Sequence, residues 1–465
     1  MGSRGLVDAF HLPGLADDPA RPWLELDAPG SGTLARAPRL RPVDIAAVCR
    51  RLRAAREARL PGGDTQGVIE TISAAASILR EEALQEDTAA AIAGLSGVSR
   101  PMFEHVLTRM AEGWTAEALR GLVAAEFGAE ATPARFAPDP TRPGVRRRVV
   151  APELAFHVFA GNVLGVAVTS LIRSLLVGSA VLGKAARREP VLPALFARAL
   201  GRVDAALAEC VAVTWWPGGS TQLESAALDQ ATLAVVYGGE ETVRAVRALA
   251  PARVRLVEHG PAISVGLVFR DALSEQGAKA AARSAARATA AFDQRGCTSP
   301  VAVLVEDGGA VSPARFTELV ADELAGLSDT LPPGPLGPAE AARRRQVLDA
   351  AELRSAESGA PALAGSGWGV FLDRELRPEE FCTGRVLQVV PMSSVEDGLR
   401  LVGRLAGSVQ TAGVAGGPAH VAEALASLGV SRITGLGDMP WPPPAWRHDG
   451  GLPLGELVRW IDLEI

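Results

Sequence analysis

At 465 residues, with 48% hydrophobic and 22% charged side chains, the chain is too long for a single core and apolar enough for two or three domains. A net charge of -6 supplies no basic field for nucleic acid, and the one dense cationic cluster, the arginines at 146–148, reads as a solvated strand edge. Four cysteines at 49, 210, 297 and 382, without a CxxC pair, and six histidines without HExxH, argue against a disulfide frame or a zinc motif and point to reduced thiols in a cytoplasmic protein without a metal.

Residues 1–42 form a Pro/Gly-rich N-terminal segment. Its start, MGSRGLVDAFHLPGL, has no apolar signal region, and Leu6 does not fit a myristoylation pattern. GSGTLA at 30–35 matches a dinucleotide fingerprint in letters only, because it runs into Pro38 and Pro42 and not into a helix that could hold a pyrophosphate. Residues 43–140 read as a helical N-terminal region. DIAAVCRRLRAAREARL, with Cys49 facing core, GVIETISAAASILREEAL and the continuous stretch 100–127 carry apolar residues at three-to-four spacing, before the Pro-rich connection ATPARFAPDPTRPG.

From 141 to 258 strands and helices alternate: LAFHVFA, SAVLGK, VAVTWW, ATLAVVY and VRLVE, with helices at 163–177, 190–208, 220–229 and 240–250. This predicts a doubly wound, mostly parallel nucleotide-binding α/β domain. The apolar run 163–183 is long enough to span a membrane but carries Arg173 at its middle, so it is soluble core and no membrane span is expected. A second α/β domain, 259–440, opens with AISVGLVF and an Ala-rich helix bearing Lys279, then PVAVLVED and later WGVFLD, VLQVVP and SVQTAGV. Two such domains leave a cleft between them. The end, 441–465, with PWPPPAW and the amphipathic LGELVRWIDLE, reads as a docking segment.

The second domain carries Cys297 in FDQRGCTSP, on a Gly-bearing turn between its first helix and PVAVLVED. Cysteine is ordinarily a small buried hydrophobe. Here Asp293, Gln294, Arg295, Gly296, Thr298 and Ser299 are polar or small, which suits a wet, electropositive pocket that favours thiolate, so Cys297 is the candidate nucleophile.

GSAVLGKA, 178–185, nearly fits a phosphate loop, but Ala185 lacks the metal-binding hydroxyl and S-A-V-L reads as strand. Lys184 instead ends a strand, where open α/β sheets bind ligands, and suits a cofactor ribose or phosphate. It is one of two lysines beside 45 arginines (47 - 2), which fits a narrow site that accepts a point charge and not a guanidinium. Gly218 and Gly219 in WWPGGS, and Gly238 and Gly239 in VVYGGEE, end what read as adjacent strands and lead into helices, which suits nucleotide contact. Asn162 in AGNVLG can donate a side-chain N–H to an oxyanion, or cap the helix that follows. Glu258 in VEHGPA can exchange a proton with the thiol or the leaving group, or stand as a surface carboxylate at a strand end. His157 and His259 read as structural histidines.

In this order the motifs resemble the aldehyde dehydrogenase superfamily, and within it the LuxC-like acyl-CoA reductases, over about residues 140–440. RVLQVVPMSSVEDGL, SVQTAGV and Arg459-Trp460 fit as well. The resemblance implies an aldehyde dehydrogenase-like α/β fold. It also implies an NADPH- or NADH-dependent reduction of an acyl thioester to an aldehyde through a Cys297 acyl-enzyme, with NADPH preferred and Asn162 at the oxyanion. Acyl-CoA or an acyl-carrier protein would be the donor, with an acyl-supplying enzyme as a partner and a homo-oligomer as the assembly. The chain departs from the superfamily in three places. FCTGRVLQVVP lacks the usual Glu, Ala185 replaces the Ser after the cofactor lysine, and Ala262 replaces the lysine of the Glu segment. Two alternatives follow: a hydrolytic aldehyde dehydrogenase in which Glu258 activates water, and a non-reducing acyl-transfer or carrier-binding protein.

Overall fold

The computed structural model describes residues 6–28, 32–60, 63–128, 135–139 and 141–465. Gly30 and Ser31 of GSGTLA, residues 1–5, and 131–134 and 140 of the Pro-rich connection lie outside the described residues. The chain divides into two compact units: Met1–Ser96, Val106–Gly260 and Pro443–Ile465 form unit 1, and Gly97–His105 with Pro261–Pro442 form unit 2.

The Pro/Gly-rich start carries strands that its turn residues mask: β1 (Val7–Asp8), β2 (Trp23–Ala28) and β3 (Gly32–Pro38), ordered β1-β3-β2, with Leu26, Leu34, Ala35 and Ala37 buried. Helices α1 (Pro42–Arg59), α2 (Thr65–Ala83), α3 (Glu86–Ser96), α4 (Arg100–Glu112) and α5 (Ala116–Phe127) follow. Ile45, Val48, Cys49 and Leu52 form the buried stripe of α1, as its spacing predicts. The stretch 100–127 is not continuous. Thr115 Oγ1 accepts from the N–H of Ala118 at 3.3 Å and starts α5, an N-cap the apolar spacing alone does not reveal.

After β4 (Ala137–Pro138) and β5 (Arg146–Val150) come β6 (Leu154–Val158), α6 (Val166–Leu176), β7 (Ala180–Lys184), α7 (Val191–Val203), α8 (Ala205–Ala208) and β8 (Val211–Thr214). Then come α9 (Thr221–Leu228), β9 (Leu233–Tyr237), α10 (Glu240–Leu249) and β10 (Arg255–His259). The expected helix 190–208 is cut by Asp204, whose Oδ1 accepts from the N–H of Leu207 at 2.9 Å and caps α8. Every residue of β6, β8 and β9 is buried, which is why these strands read as unbroken apolar runs.

The parallel sheet has the order β10-β9-β6-β7-β8. This corrects one expectation: β8 and β9, the strands that end on paired glycines, are not neighbours. After β8 the chain crosses back over β7 and β6, and the order reverses between β6 and β9. At such a switch point the loops leave in opposite directions and open a crevice at the carboxyl ends of the strands.

Unit 2 contains β11 (Ile263–Val268), α11 (Glu275–Ala290), β12 (Pro300–Glu306), α12 (Pro313–Thr330), α13 (Pro338–Ser358), β13 (Ala362–Gly365) and β14 (Trp368–Leu372). It continues with β15 (Val386–Met392), α14 (Val395–Gly403), β16 (Val409–Ala415), α15 (His420–Ser427) and β17 (Arg432–Gly435). The sheet order is β13-β14-β15-β12-β11-β16-β17, antiparallel only at β13. The edge strands β13 and β17 are short and partly exposed, and their pattern is invisible in the sequence. On α11 the buried face is alanine (Ala278, Ala281, Ala282, Ala285, Ala286), which lets the helix pack closely on its neighbours.

The tail ends in β18 (Arg459–Leu463), paired antiparallel to β5 in a sheet ordered β18-β5-β4. The arginines at 146–148 therefore lie on a central strand and not at a sheet edge. Arg147 stacks its guanidinium 4.7 Å from the Trp460 ring centroid, so the cationic run is held by an aromatic partner from β18. No helix among the described residues is long and apolar enough to cross a membrane.

Candidate active site

Cys297 lies half-buried in unit 2, between α11 and β12 as predicted. The backbone before it is unusual. Phe292, Asp293 and Gln294 have φ values of 54°, 52° and 62°, three successive non-glycine residues in the left-handed region. Each such residue costs about 1–3 kcal/mol and persists only when its surroundings over-determine it.

The surroundings do so here. Asp293 Oδ1 accepts from Arg385 Nε at 2.8 Å, its Oδ2 accepts from the N–H of Gly334 at 3.0 Å, and its carbonyl accepts from the N–H of Gly384 at 3.1 Å. The Gln294 amide is fully used: Nε2 donates to the carbonyls of Pro300 (2.8 Å) and Val386 (2.7 Å), and Oε1 accepts from the N–H of Val386 at 2.7 Å. Arg295 Nη1 donates to the carbonyl of Gly97 at 2.8 Å, and Nη2 stands 3.5 Å from Glu340. Ser264 Oγ donates to the carbonyl of Cys297 itself at 2.7 Å and accepts from the N–H of Thr411 at 3.2 Å.

These bonds correct the reason for suspecting Cys297. Asp293, Gln294, Arg295, Thr298 and Ser299 are buried, not a wet, electropositive surround. The polar groups of Asp293, Gln294 and Arg295 brace the turn that presents the cysteine. Burial pushes the thiols of Cys49 and Cys210 up to about 12 and that of Cys382 up to about 11, which keeps them protonated and poorly nucleophilic.

The other candidates lie in unit 1. Asn162 is exposed in the loop between β6 and α6. It does not cap α6: the N-cap is Gly165, with φ 89°, three residues on. Lys184 ends β7, and its Nζ stands 2.6 Å from Glu224 Oε1 on α9, with both side chains about nine-tenths buried (12% and 7% exposed). The ammonium also lies 5.8 Å from the centroid of the Trp216 ring. Glu224, which sequence spacing does not link to Lys184, neutralises it. Glu258 sits within β10, and both its oxygens accept from Arg247 of α10, one from Nε at 3.0 Å and the other from Nη2.

The glycines divide. A Cβ at Gly238 would stand 2.9 Å from Thr242 Cβ, so close packing explains that glycine. At Gly218, Gly219 and Gly239 a Cβ would meet nothing within 4 Å, and only Gly219, at φ 79°, needs glycine for its backbone. Open space over Gly218 and Gly239 leaves the backbone reachable by a phosphate. At the end of β8, Thr214 Oγ1 and Trp216 Nε1 are buried and lack a hydrogen-bond partner. Open glycine backbone, unpaired donors and a lysine at strand ends fit a dinucleotide.

His157 is structural: its Nδ1 lies 2.8 Å from Ser170 Oγ and its Nε2 3.0 Å from Ser174 Oγ. His259, His448 and Asp449 bring ligand atoms within 4.8 Å of one another. The two imidazoles stack with centroids 4.2 Å apart and planes 5° from parallel, so their in-plane lone pairs do not converge on one ion.

Two successive α/β sheets, with a cysteine on a braced turn opening the second, define the aldehyde dehydrogenase fold. Known structures agree. A benzaldehyde dehydrogenase from Corynebacterium glutamicum superposes with a TM-score of 0.73 at 18% identity, covering 98% of this chain and 99% of that one. Lactaldehyde dehydrogenase from Escherichia coli gives 0.72 at 16% identity, covering 99% and 100%. Aldehyde dehydrogenase C (C291A) from Pseudomonas syringae, solved with NAD+ and octanal, gives 0.74 at 16%, covering 98% and 96%. No curated protein sequence matches. The chain belongs to the acyl-CoA reductase (LuxC) family, whose sequence profile matches residues 62–460. It is therefore an oxidoreductase acting on acyl and aldehyde groups.

Proposed function

We propose that the protein reduces an acyl thioester, acyl-CoA or acyl-carrier protein, to an aldehyde, with NADPH or NADH as reductant. The observation that carries this reading is the braced turn 292–297, which spends several kcal/mol of backbone strain to present one cysteine. The Cys297 thiolate attacks the thioester carbonyl and the carrier thiolate leaves, an exchange of one thioester for another that is nearly thermoneutral and needs no ATP. The Asn162 side-chain N–H and backbone N–H groups near Cys297 take the oxyanion of this step. A nicotinamide held there would supply the hydride that reduces the acyl carbonyl. In the thiohemiacetal alkoxide that results, the oxygen's electron pair re-forms the carbonyl as the C–S bond breaks, and aldehyde and the Cys297 thiolate are released.

Lys184, Gly218, Gly219 and Gly239 would hold the dinucleotide. The pairing of both Glu258 oxygens with Arg247 supports reduction over hydrolysis, because a carboxylate engaged in this way is a poor base for water.

The test is mass spectrometry of the wild type and Cys297→Ala after incubation with acyl-CoAs of graded length, without reductant. One acyl adduct, confined to Cys297, is expected. An adduct that persists in Cys297→Ala refutes the assignment, as does a wild type that never loads.

A further inference from the structure

The segment that leaves β7 ends on Glu189, which is 2% exposed. Its Oε1 accepts from the N–H of Gly165, and its carboxyl also accepts from the N–H of Ala167. These donors belong to the first turn of α6. A helix opens with N–H groups that have no partner within it, and a side chain at the N-cap usually meets them. Gly165 has none, so the cap comes from 24 residues further along the chain.

The same segment grips the other end of the loop. A Cβ on Gly161 would stand 2.8 Å from that of Ala186 and 3.1 Å from that of Arg188. One on Gly165 would stand 3.0 Å from Met110 Cγ. AGNVLG is thus fastened at Gly161 and Gly165, with Asn162 exposed between them. A serine or aspartate could not cap from position 165 itself, because the left-handed backbone at φ 89° and the contact with Met110 leave room only for glycine there. Glu189 meets the need from a distance, with its Oε2 buried and without a hydrogen-bond partner.

We propose that Glu189 is the positioning residue for Asn162. By tying the Gly165 N–H to the segment after β7, it fixes where the Asn162 amide stands when the acyl carbonyl is attacked. This rests on the role given to Asn162 above. Glu189 touches neither substrate nor reacting atoms; it acts through the loop.

The test is the single-turnover rate at which decanoyl-CoA acylates Cys297, measured by quenched mass spectrometry in folded protein verified by circular dichroism. Glu189→Ala should slow acylation roughly tenfold or more, a fraction of what loss of an oxyanion donor costs, with the half-saturating concentration within about twofold of wild type. Glu189→Gln keeps an acceptor for the Gly165 N–H and should recover most of the rate. In an Asn162→Ala background, Glu189→Ala should add nothing. Should Glu189→Ala fail to fold, Glu189→Met preserves the volume without the acceptor and serves in its place. Equal slowing with and without Asn162 would reduce Glu189 to a helix cap, and wild-type acylation by the alanine variant would refute the proposal outright. If Asn162→Ala alone acylates at the wild-type rate, the oxyanion assignment falls first and this inference falls with it.

Discussion

Arg385 and Asp293 form an ion pair closed off from water, with Nη2 2.7 Å from Oδ1 and side chains 0% and 1% exposed. Both residues have left-handed backbones, Arg385 at φ 59°. The arginine also donates from Nη1 to the carbonyl of Leu331 at 2.8 Å, so one guanidinium joins the nucleophile turn to the chain after α12. A buried pair adds little net stability over an apolar substitute, but removing one partner strands the other charge.

Arg385→Ala should therefore lose about 3–5 kcal/mol of stability by urea unfolding. Arg385→Gly should lose roughly 1 kcal/mol less, because glycine relieves the left-handed backbone. In both, Cys297 should react more slowly with acyl-CoA. An alanine variant with an unchanged unfolding midpoint would show that the pair does not lock the turn.

Among the four thiols, iodoacetamide at pH 8 should label Cys297 first. Cys49 and Cys210 are buried, and Cys382, although half-buried like Cys297, is pushed up to about 11, chiefly by burial. Peptide mapping after brief exposure should find most of the label on the peptide containing 297. Label appearing first on Cys382 would contradict the assignment of the nucleophile.

Lys184 has two tasks that substitution can separate. Lys184→Met strands the Glu224 carboxylate and should cost about 3–5 kcal/mol. Lys184→Met with Glu224→Leu should restore stability to within about 1 kcal/mol of wild type. Dinucleotide affinity should stay weak in both, read by tryptophan fluorescence on titration with NADH and NADPH. Wild-type affinity in the double variant would leave Lys184 with a structural task only.

Burial raises the pKa of Glu189 from 4.5 to about 8. Between these values the folded chain keeps a proton that the unfolded chain has released. The stability due to that proton is fully present below about pH 4.5 and is lost as pH rises through 8, at about 1.4 kcal/mol per unit. Glu189→Gln has no such proton. Urea unfolding at pH 5, 7 and 9 should show the wild type losing up to a few kcal/mol relative to Glu189→Gln as pH rises. Parallel pH profiles would show that the carboxyl is not held neutral.

Much of the architecture is legible in local pattern. LAVVY and VAVLVE are strands buried on both faces and read as such, and FDQRGCTSP stands out because polar residues crowd a cysteine between a helix and a strand. What is not legible is pairing at a distance. The order that separates β8 from β9, the bond between Asp293 and a residue 92 positions on, and the capping of α6 by Glu189 arise only when segments remote in sequence meet. Local signals also mislead where one residue type serves two ends. The polar neighbours of Cys297 suggest water, yet their hydrogen bonds are internal. Gly238 suggests a ligand, yet Thr242 already fills its space.

The seam between β18 and β5 also bears on synthesis. The sheet of unit 2 is built from residues before 442, whereas unit 1 needs 443–465 to finish. On the ribosome, β5 must therefore wait with one edge bare while the rest of the protein is made. Its arginines at 146–148 give the waiting edge a charge that repels other nascent strands until Trp460 and its neighbours emerge to cover it.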